Sequence, residues 1–280
     1  MEEWAKPNDF TVVFRLTTKK YAELFLSEGS VKFSTPQTWI EYANEGRGDR
    51  FEGTFSFAHV QEPDSVMNLK RKYDPTDMLS PLKRPICIEN IDDRICFKDT
   101  RSLVLPCYCF YILKHSMFEC PSKAGKHRIS ATVPASYFRD FADDMLPEDV
   151  LTKNIEDRPS LIAIHDFDKF RERLYNALRK LGLRDSEILM NTVNYHDFEK
   201  YGSTGWMDFN TKFPYELFIE RKRFEGQSEA RVVVNTSDKE IIKKLDKPLL
   251  LGSMTDIAKT VDNYLYDGLD VEMTVTIDPA

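Results

Sequence analysis

No stretch of the 280-residue chain approaches the roughly 20 consecutive apolar residues of a membrane-spanning helix. The opening MEEWAKPNDF also lacks the basic-then-apolar order of a secretion signal. Both absences predict a soluble, cytoplasmic protein with no membrane partner. There is no GxGxxG, no phosphate-binding GxxxxGK[ST] loop and no GxSxG elbow, so the usual dinucleotide-fold, P-loop and α/β-hydrolase routes are closed. The five histidines, at 59, 115, 127, 165 and 196, form no HxH or HxxxH set. Cysteines number only five, an odd count that argues for reduced, buried thiols over a disulfide framework. Cys107 and Cys109 would share one face of a strand, but with His115 and Cys120 they make an incomplete zinc pattern, and no metal is expected. Positive charge is also short: the net charge of −7 argues against a bulk electrostatic hold on nucleic acid. The dense basic runs are LKRKY at 69–73 and ERKRF at 220–224.

What remains is the composition of a folded protein, 41% hydrophobic with 19 Phe and 12 Tyr, enough for a sizeable core. The chain reads as one domain over 1–280, with an irregular insertion at about 61–100 and a helical insertion at about 135–200. FTVVFRL (Phe10 to Leu16) has the Val and Phe enrichment of a strand. A helix follows, with Thr17 or Thr18 before it, Tyr21, Leu24 and Phe25 on one face, and Gly29 as its stop. VKFST alternates as a second strand closed by Pro36, and Trp39 enters a glycine-rich acidic loop before a strand at TFSFAHV. SLVLPCYCFYILK (Ser102 to Lys114) is the most apolar stretch and predicts a central strand. KHRISATVP predicts another strand, and ASYFRDFADDML a short helix. SLIAI then gives way to helical spacing at Phe167, Phe170, Leu174, Leu178 and Leu181, with Gly182 as the stop. Strands are expected at ILMNTVNYHDF, at 230–235, at KPLLLGS and at DVEMTVTID, with PYELFIERKRFEGQ helical or extended and MTDIAKTVDNYLYDG helical. Strands and helices without a βαβ rhythm predict an α+β fold with a mixed or mainly antiparallel central sheet and flanking helices.

Chemistry concentrates in three places. FEGQSEARVVVNT (Phe224 to Thr236) sets Glu225, Gln227, Glu229 and Arg231 at alternating positions where a β-branched run begins. That alternation fits the solvated face of a half-exposed strand with Glu229 and Arg231 paired, and it fits polar groups aimed at a ligand. Arg15 interrupts the apolar run VVFRL, and a charge in a buried strand needs a partner, either a carboxylate such as Glu229 or Glu52, or a phosphate. EGRGDRFEG adds Asp49 and Glu52 among Gly46, Gly48 and Gly53. It reads as a polar turn or, with Glu229 brought in by the fold, as a carboxylate cluster of the kind that holds the metal of a nuclease, with Lys222 beside it.

The block VFRLTTKKYAELFLSEGSVKFSTPQTWIEY with GDRFEG, then CYCFYIL and FIERKRFEGQSEARVVV, resembles the bacterial and phage domain-of-unknown-function family 2971. The departure is Gln227, where that family has a first Glu. The order of an early strand bearing Arg, a helix, and a late strand entered through Q-x-E is also similar to ADP-ribosyltransferases. That likeness implies NAD as cofactor, a macromolecular acceptor, and a setting of bacterial or phage conflict. It implies Arg15 at the pyrophosphate, Glu229 stabilising the ribosyl cation and Gln227 orienting the acceptor. The Ser-x-Thr of the middle strand would be Ser130 and Thr132 in RISATV, or Ser203 and Thr204. The expected site is therefore Arg15, Asp49, Glu52, Ser130, Thr132, Gln227, Glu229 and Arg231. A metal-dependent nuclease and a non-catalytic protein or nucleotide binder stand as alternatives. The decisive structural question is whether Arg15 and Glu229 line one cleft.

Overall fold

A computed structural model of the protein describes residues 10–43, 48–73, 85–114, 117–118, 125–134, 137, 154–198, 206–209, 212–261 and 268–277. β1 (Phe10–Thr18) runs into α1 (Lys19–Glu28). Gly29 ends the helix in a left-handed conformation, φ 67°, with its N–H capping the Leu24 and Phe25 carbonyls. A Cβ at this position would lie 2.3 Å from the Gly252 carbonyl oxygen, so close approach and backbone shape both demand glycine. After β2 (Ser30–Val31), Pro36 opens a helix, its fixed φ and missing N–H suiting a first turn. This helix, α2 (Pro36–Ala43), carries Trp39, which the sequence had suggested for a loop.

β3 (Thr54–His59) follows. The region 61–100, expected to be irregular, holds α3 (Pro63–Tyr73) and a hairpin of β4 (Ile86–Ile91) and β5 (Arg94–Asp99). Its period is hard to see because α3 buries few of its side chains, among them Leu69 and Tyr73, while charged residues fill the rest. The chain continues through β6 (Cys107–Lys114), β7 (Gly125–Val133), β8 (Pro159–Ile164), α4 (Phe167–Lys180), β9 (Ile188–Thr192) and β10 (Asn194–His196). Thus the span expected as a helical insertion contributes strands as well as α4. Then come β11 (Trp206–Asp208), β12 (Ile219–Arg221), β13 (Glu229–Val234), α5 (Lys239–Leu245), β14 (Leu249–Leu250), β15 (Ala258–Val261) and β16 (Leu269–Ile277). Over the described residues 254–261 the helix expected at MTDIAKTVDNYLYDG is corrected: a turn leads into β15, whose main chain completes an edge of the sheet against β8. The short helix expected at ASYFRDFADDML falls, apart from Tyr137, outside the described residues.

The result is an α+β fold. Its central sheet has the order β15-β8-β1-β6-β13-β9, antiparallel at every junction. One face is covered by α1, α4 and α5. Val13, Tyr108, Phe110, Ile112, Ala230, Val232 and Val234 meet Phe25, Phe170, Leu174 and Ile241 there. The other face is covered in two parts. A ribbon of β7 and β16 lays Ile129, Ala131 and Val133 over Phe14, Tyr111 and Leu113. Leu217 and Phe218 pack on Cys107 and Val233. A second sheet, β11-β3-β5-β4, stands beside these elements and brings the loop before β3 toward β13.

Candidate functional site

The loop entering β3 turns on Gly48 and Gly53, with φ of 78° and 71°. Asp49 Oδ1 accepts the Phe51 N–H at 3.0 Å, and the Glu52 N–H reaches back to the Asp49 carbonyl at 3.1 Å. The polar-turn reading of this segment is therefore correct locally, yet Asp49 and Glu52 both point inward and are buried. On β13 the expected solvent face is also buried: every residue from Glu229 to Val234 is enclosed, with Glu229 only 7% and Arg231 only 3% exposed.

Arg231 organises what lies there. Its Nε donates to Glu229 Oε1 at 2.6 Å, Nη1 to Glu52 Oε1 at 2.6 Å and to the Leu217 carbonyl at 2.7 Å, and Nη2 to Glu52 Oε2 at 3.1 Å and Glu220 Oε2 at 3.3 Å. Its guanidinium carbon stands 5.0 Å from the centre of the Trp39 ring. A second arginine, Arg221, forks onto both oxygens of Asp49, with Nε at 2.9 Å from Oδ2. Burial pushes the Glu220 carboxyl well above the ordinary range, reinforced by the neighbouring Glu52 and Asp49. Burial likewise raises Glu52 against the pull of Arg231. For Asp49 burial acts upward too, but a hydrogen bond with Glu220 and the charge of Arg221 outweigh it and leave that group lowered. A proton on Glu220, shared toward ionised Asp49, accounts for the opposite directions.

Gln227 and Glu229 do not lie on one extended segment, as the alternation suggested. Lys222–Gln227 is a 3₁₀ stretch, and Ser228 turns the chain with φ 37° before β13 begins. The kink is held by Ser228 Oγ donating to the Ile112 carbonyl at 2.9 Å and by the Glu229 N–H donating to the Tyr195 hydroxyl at 2.8 Å. It directs both side chains to the same space.

That space is a cavity of ≈ 430 Å³ whose lining includes Arg15, Asp49, Glu52, Gln227, Glu229 and Arg231. Strand parity makes the meeting of Arg15 and Glu229 unexpected. Phe14 is opposite Tyr111 and Tyr111 opposite Glu229, so Arg15 leaves the sheet on the other face. The two residues share a cavity because β1 pairs with β6 only as far as Phe14 and Tyr111. Toward Cys107, the edge of β6 is taken by Ser34 instead. In the gap between, the Arg15 guanidinium donates to the Cys109 carbonyl and lies 5.0 Å from the Tyr108 ring centre. The cavity lining includes residues on both sides of this split, Arg15 and Ser34 among them.

Ser130 and Thr132 are not part of it. They sit on the outer face of β7, exposed, because Ile129, Ala131 and Val133 take the inner face of the ribbon; Thr132 Oγ1 donates to Asp270 Oδ1 at 2.6 Å. Ser203 and Thr204 lie outside the described residues. Lys222 is exposed and absent from the lining. Sequence reasoning missed Glu220, Trp39, Tyr108 and Lys32, which all line the cavity. Glu220 had a signal, a carboxylate directly after the apolar LFI, but the basic residues that follow it mask the pattern. No three described His, Cys, Asp or Glu side chains converge as metal ligands, and no described helix is long and apolar enough to cross a membrane. Compared with known proteins, the chain matches no family model, no curated protein and no solved structure.

Proposed function

We propose that the chain is an ADP-ribosyltransferase-like enzyme that takes NAD into this cavity and modifies a macromolecule. The observation that carries the reading is the meeting of Arg15 and Glu229, far apart in the chain and set on opposite faces of the central sheet, in one cavity with aromatic walls. Arg15 contacts a carbonyl and a ring, with no carboxylate partner among the described residues, and its fork suits a diphosphate. Tyr42 and Phe224 supply flat apolar surface for a base. Glu229 is paired with Arg231, which would blunt its charge, but Arg231 is divided among three carboxylates. Three carboxylates, Glu52, Glu220 and Glu229, share that one guanidinium, and the surplus of carboxylate oxygens favours the positive charge that develops on a ribose as nicotinamide leaves. Gln227 is a neutral amide, fit to orient an acceptor and unfit to deprotonate it.

The nuclease alternative is disfavoured by Arg231 itself: its guanidinium occupies the centre of the carboxylates, where a divalent cation would have to sit. Incubation of the full chain with labelled NAD tests the proposal. Nicotinamide release or label transfer is expected, reduced by at least about 100-fold in Glu229→Gln and unchanged in Glu225→Gln, since Glu225 is exposed and outside the lining. Binding of NAD without turnover would leave the non-catalytic binder, and chelator-sensitive cleavage of DNA or RNA would return the nuclease.

A further inference from the structure

The basic run at 220–224 comes to the lip of the cavity, and its residues divide there. β12 turns Glu220 inward and sends Arg221 onto Asp49. The 3₁₀ stretch that follows, Lys222–Gln227, repeats every three residues, so Phe224 and Gln227 lie over one another on a single edge. Both line the cavity, as does Arg223, whose guanidinium carbon stands 4.5 Å from the centre of the Phe224 ring. The four acids of the lining already have arginine partners, Asp49 in Arg221 and Glu52, Glu220 and Glu229 in Arg231. Three lining cations remain, Arg15, Lys32 and Arg223, and none has a carboxylate among its described contacts. With Arg221 and Arg231, five cations stand against four acids, a local reversal in a chain of net charge −7. Arg15 is half-buried whereas Lys32 and Arg223 are exposed, so the surplus sits at the mouth.

We propose that the macromolecular acceptor is a single-stranded nucleic acid, whose phosphates cross the mouth at Lys32 and Arg223 while one base turns in, stacks on Phe224 and meets the Gln227 amide. The inference rests on the NAD reading above and names the acceptor of that same site. Arg15, set deeper, keeps the diphosphate of NAD, and Tyr42 is the flat surface left for its adenine. Cations that track a backbone beside an aromatic face that takes any base are what a single strand requires. A neutral amide holds a donor and an acceptor in one plane, so Gln227 can meet a base edge with two hydrogen bonds. An acidic peptide could use the same cations but leaves Phe224 and the amide without a planar partner. A duplex hides the base edge, and a base must leave its stack to enter a cavity, which a single strand allows at least cost. In the transfer, the bond from ribose carbon to nicotinamide nitrogen breaks and its electron pair stays on nicotinamide. A nitrogen or oxygen of the base gives a lone pair to that carbon, and the proton it loses passes to solvent, since the amide does not take it.

Fluorescence anisotropy of the full chain with labelled oligonucleotides of about 12 nucleotides tests this without NAD. The probes are single-stranded DNA, single-stranded RNA and duplex DNA of one sequence. At least one single strand is expected to bind at least about tenfold tighter than the duplex, and the tighter of the two tells DNA from RNA. Arg223→Ala and Lys32→Ala should each lower the salt slope of log K by about 0.7. Phe224→Ala should weaken binding at least about fivefold with the slope unchanged, and Phe224→Tyr should bind as the unaltered protein does. With labelled NAD added, the strand should take up label. No single-strand binding, or equal affinity for strand and duplex in the unaltered protein, overturns the proposal, and continued nicotinamide release then leaves the NAD reading in place. Label on proteins of a cell extract and on neither strand overturns it in favour of a protein acceptor. Strand binding that depends on Arg223 and Phe224 but without nicotinamide release supports the strand site and overturns the NAD reading.

Discussion

β7 and β13 begin from similar writing and end in opposite surroundings. RISATV alternates polar with apolar residues throughout, and EARVVV does so from Glu229 to Val232. In β7 the polar positions stay outside: Arg128, Ser130 and Thr132 are exposed, and Arg128 pairs with Glu272 at the surface. In β13 the equivalent face is sealed beneath the loop before β3 and the segment around Leu217, and Arg231 is tied to three carboxylates. Alternation therefore reports that a strand has two unlike faces. It does not report which layer, water or protein, lies over the polar one. The same residue types contribute little at the surface, where solvent screens them, and much in the interior, where each unpaired charge is costly.

This contrast can be broken most forcefully at its centre. Arg231→Ala leaves Glu52, Glu220 and Glu229 buried without their common partner, and a loss of about 3–5 kcal/mol in urea unfolding is expected; a loss under about 1 kcal/mol would mean that the cluster is open to water. A sharper, intermediate test uses pH. Glu220 and Glu52 have carboxyls raised in the folded state, so their contribution is present below the unfolded carboxylate range and is lost as pH rises through their folded values. Asp49, being lowered, has the opposite sign, with stability present above the unfolded value and lost on acidification. Above the unfolded carboxylate range the raised groups govern, and Glu220→Gln should gain on the unaltered protein by about 1 kcal/mol for each pH unit until Glu220 ionises in the folded state, read from paired denaturation curves. At the small end, Arg128→Ala and Thr132→Ala on β7 should each change stability by no more than about 0.5 kcal/mol and leave the proposed NAD binding unaltered.

The opening strand–helix–strand was legible because each of its signals is local: Val and Phe in β1, spaced apolar residues in α1, glycine after it. α4 was legible for the same reason, with Phe167, Phe170, Leu174 and Leu178 buried on one face. What failed to show depended on distant partners. β15 is a strand because β8 offers it an edge, and α3 is a helix whose few buried side chains give a weak period. Six of the eight expected site residues meet in the cavity; for Arg15, Glu229 and Arg231 the signal was a charge written into an apolar strand, which must be accommodated somewhere. Ser130 and Thr132 were drawn in by family likeness alone, and the ribbon's own pleat turns them away. Glu220 escaped notice because its neighbours in sequence are basic while its neighbours in space are acidic.

At the place where β1 parts from β6, a side chain stands in for a missing rung of backbone: the Arg15 guanidinium occupies the Cys109 oxygen that a continuing strand would have met. An anion that draws the arginine aside must uncover that oxygen, so gripping a ligand and loosening the seam become one event. The amide-I band of a carbonyl-13C label at Cys109 should then move to higher frequency as the cavity fills, giving an optical gauge of occupancy that needs no turnover.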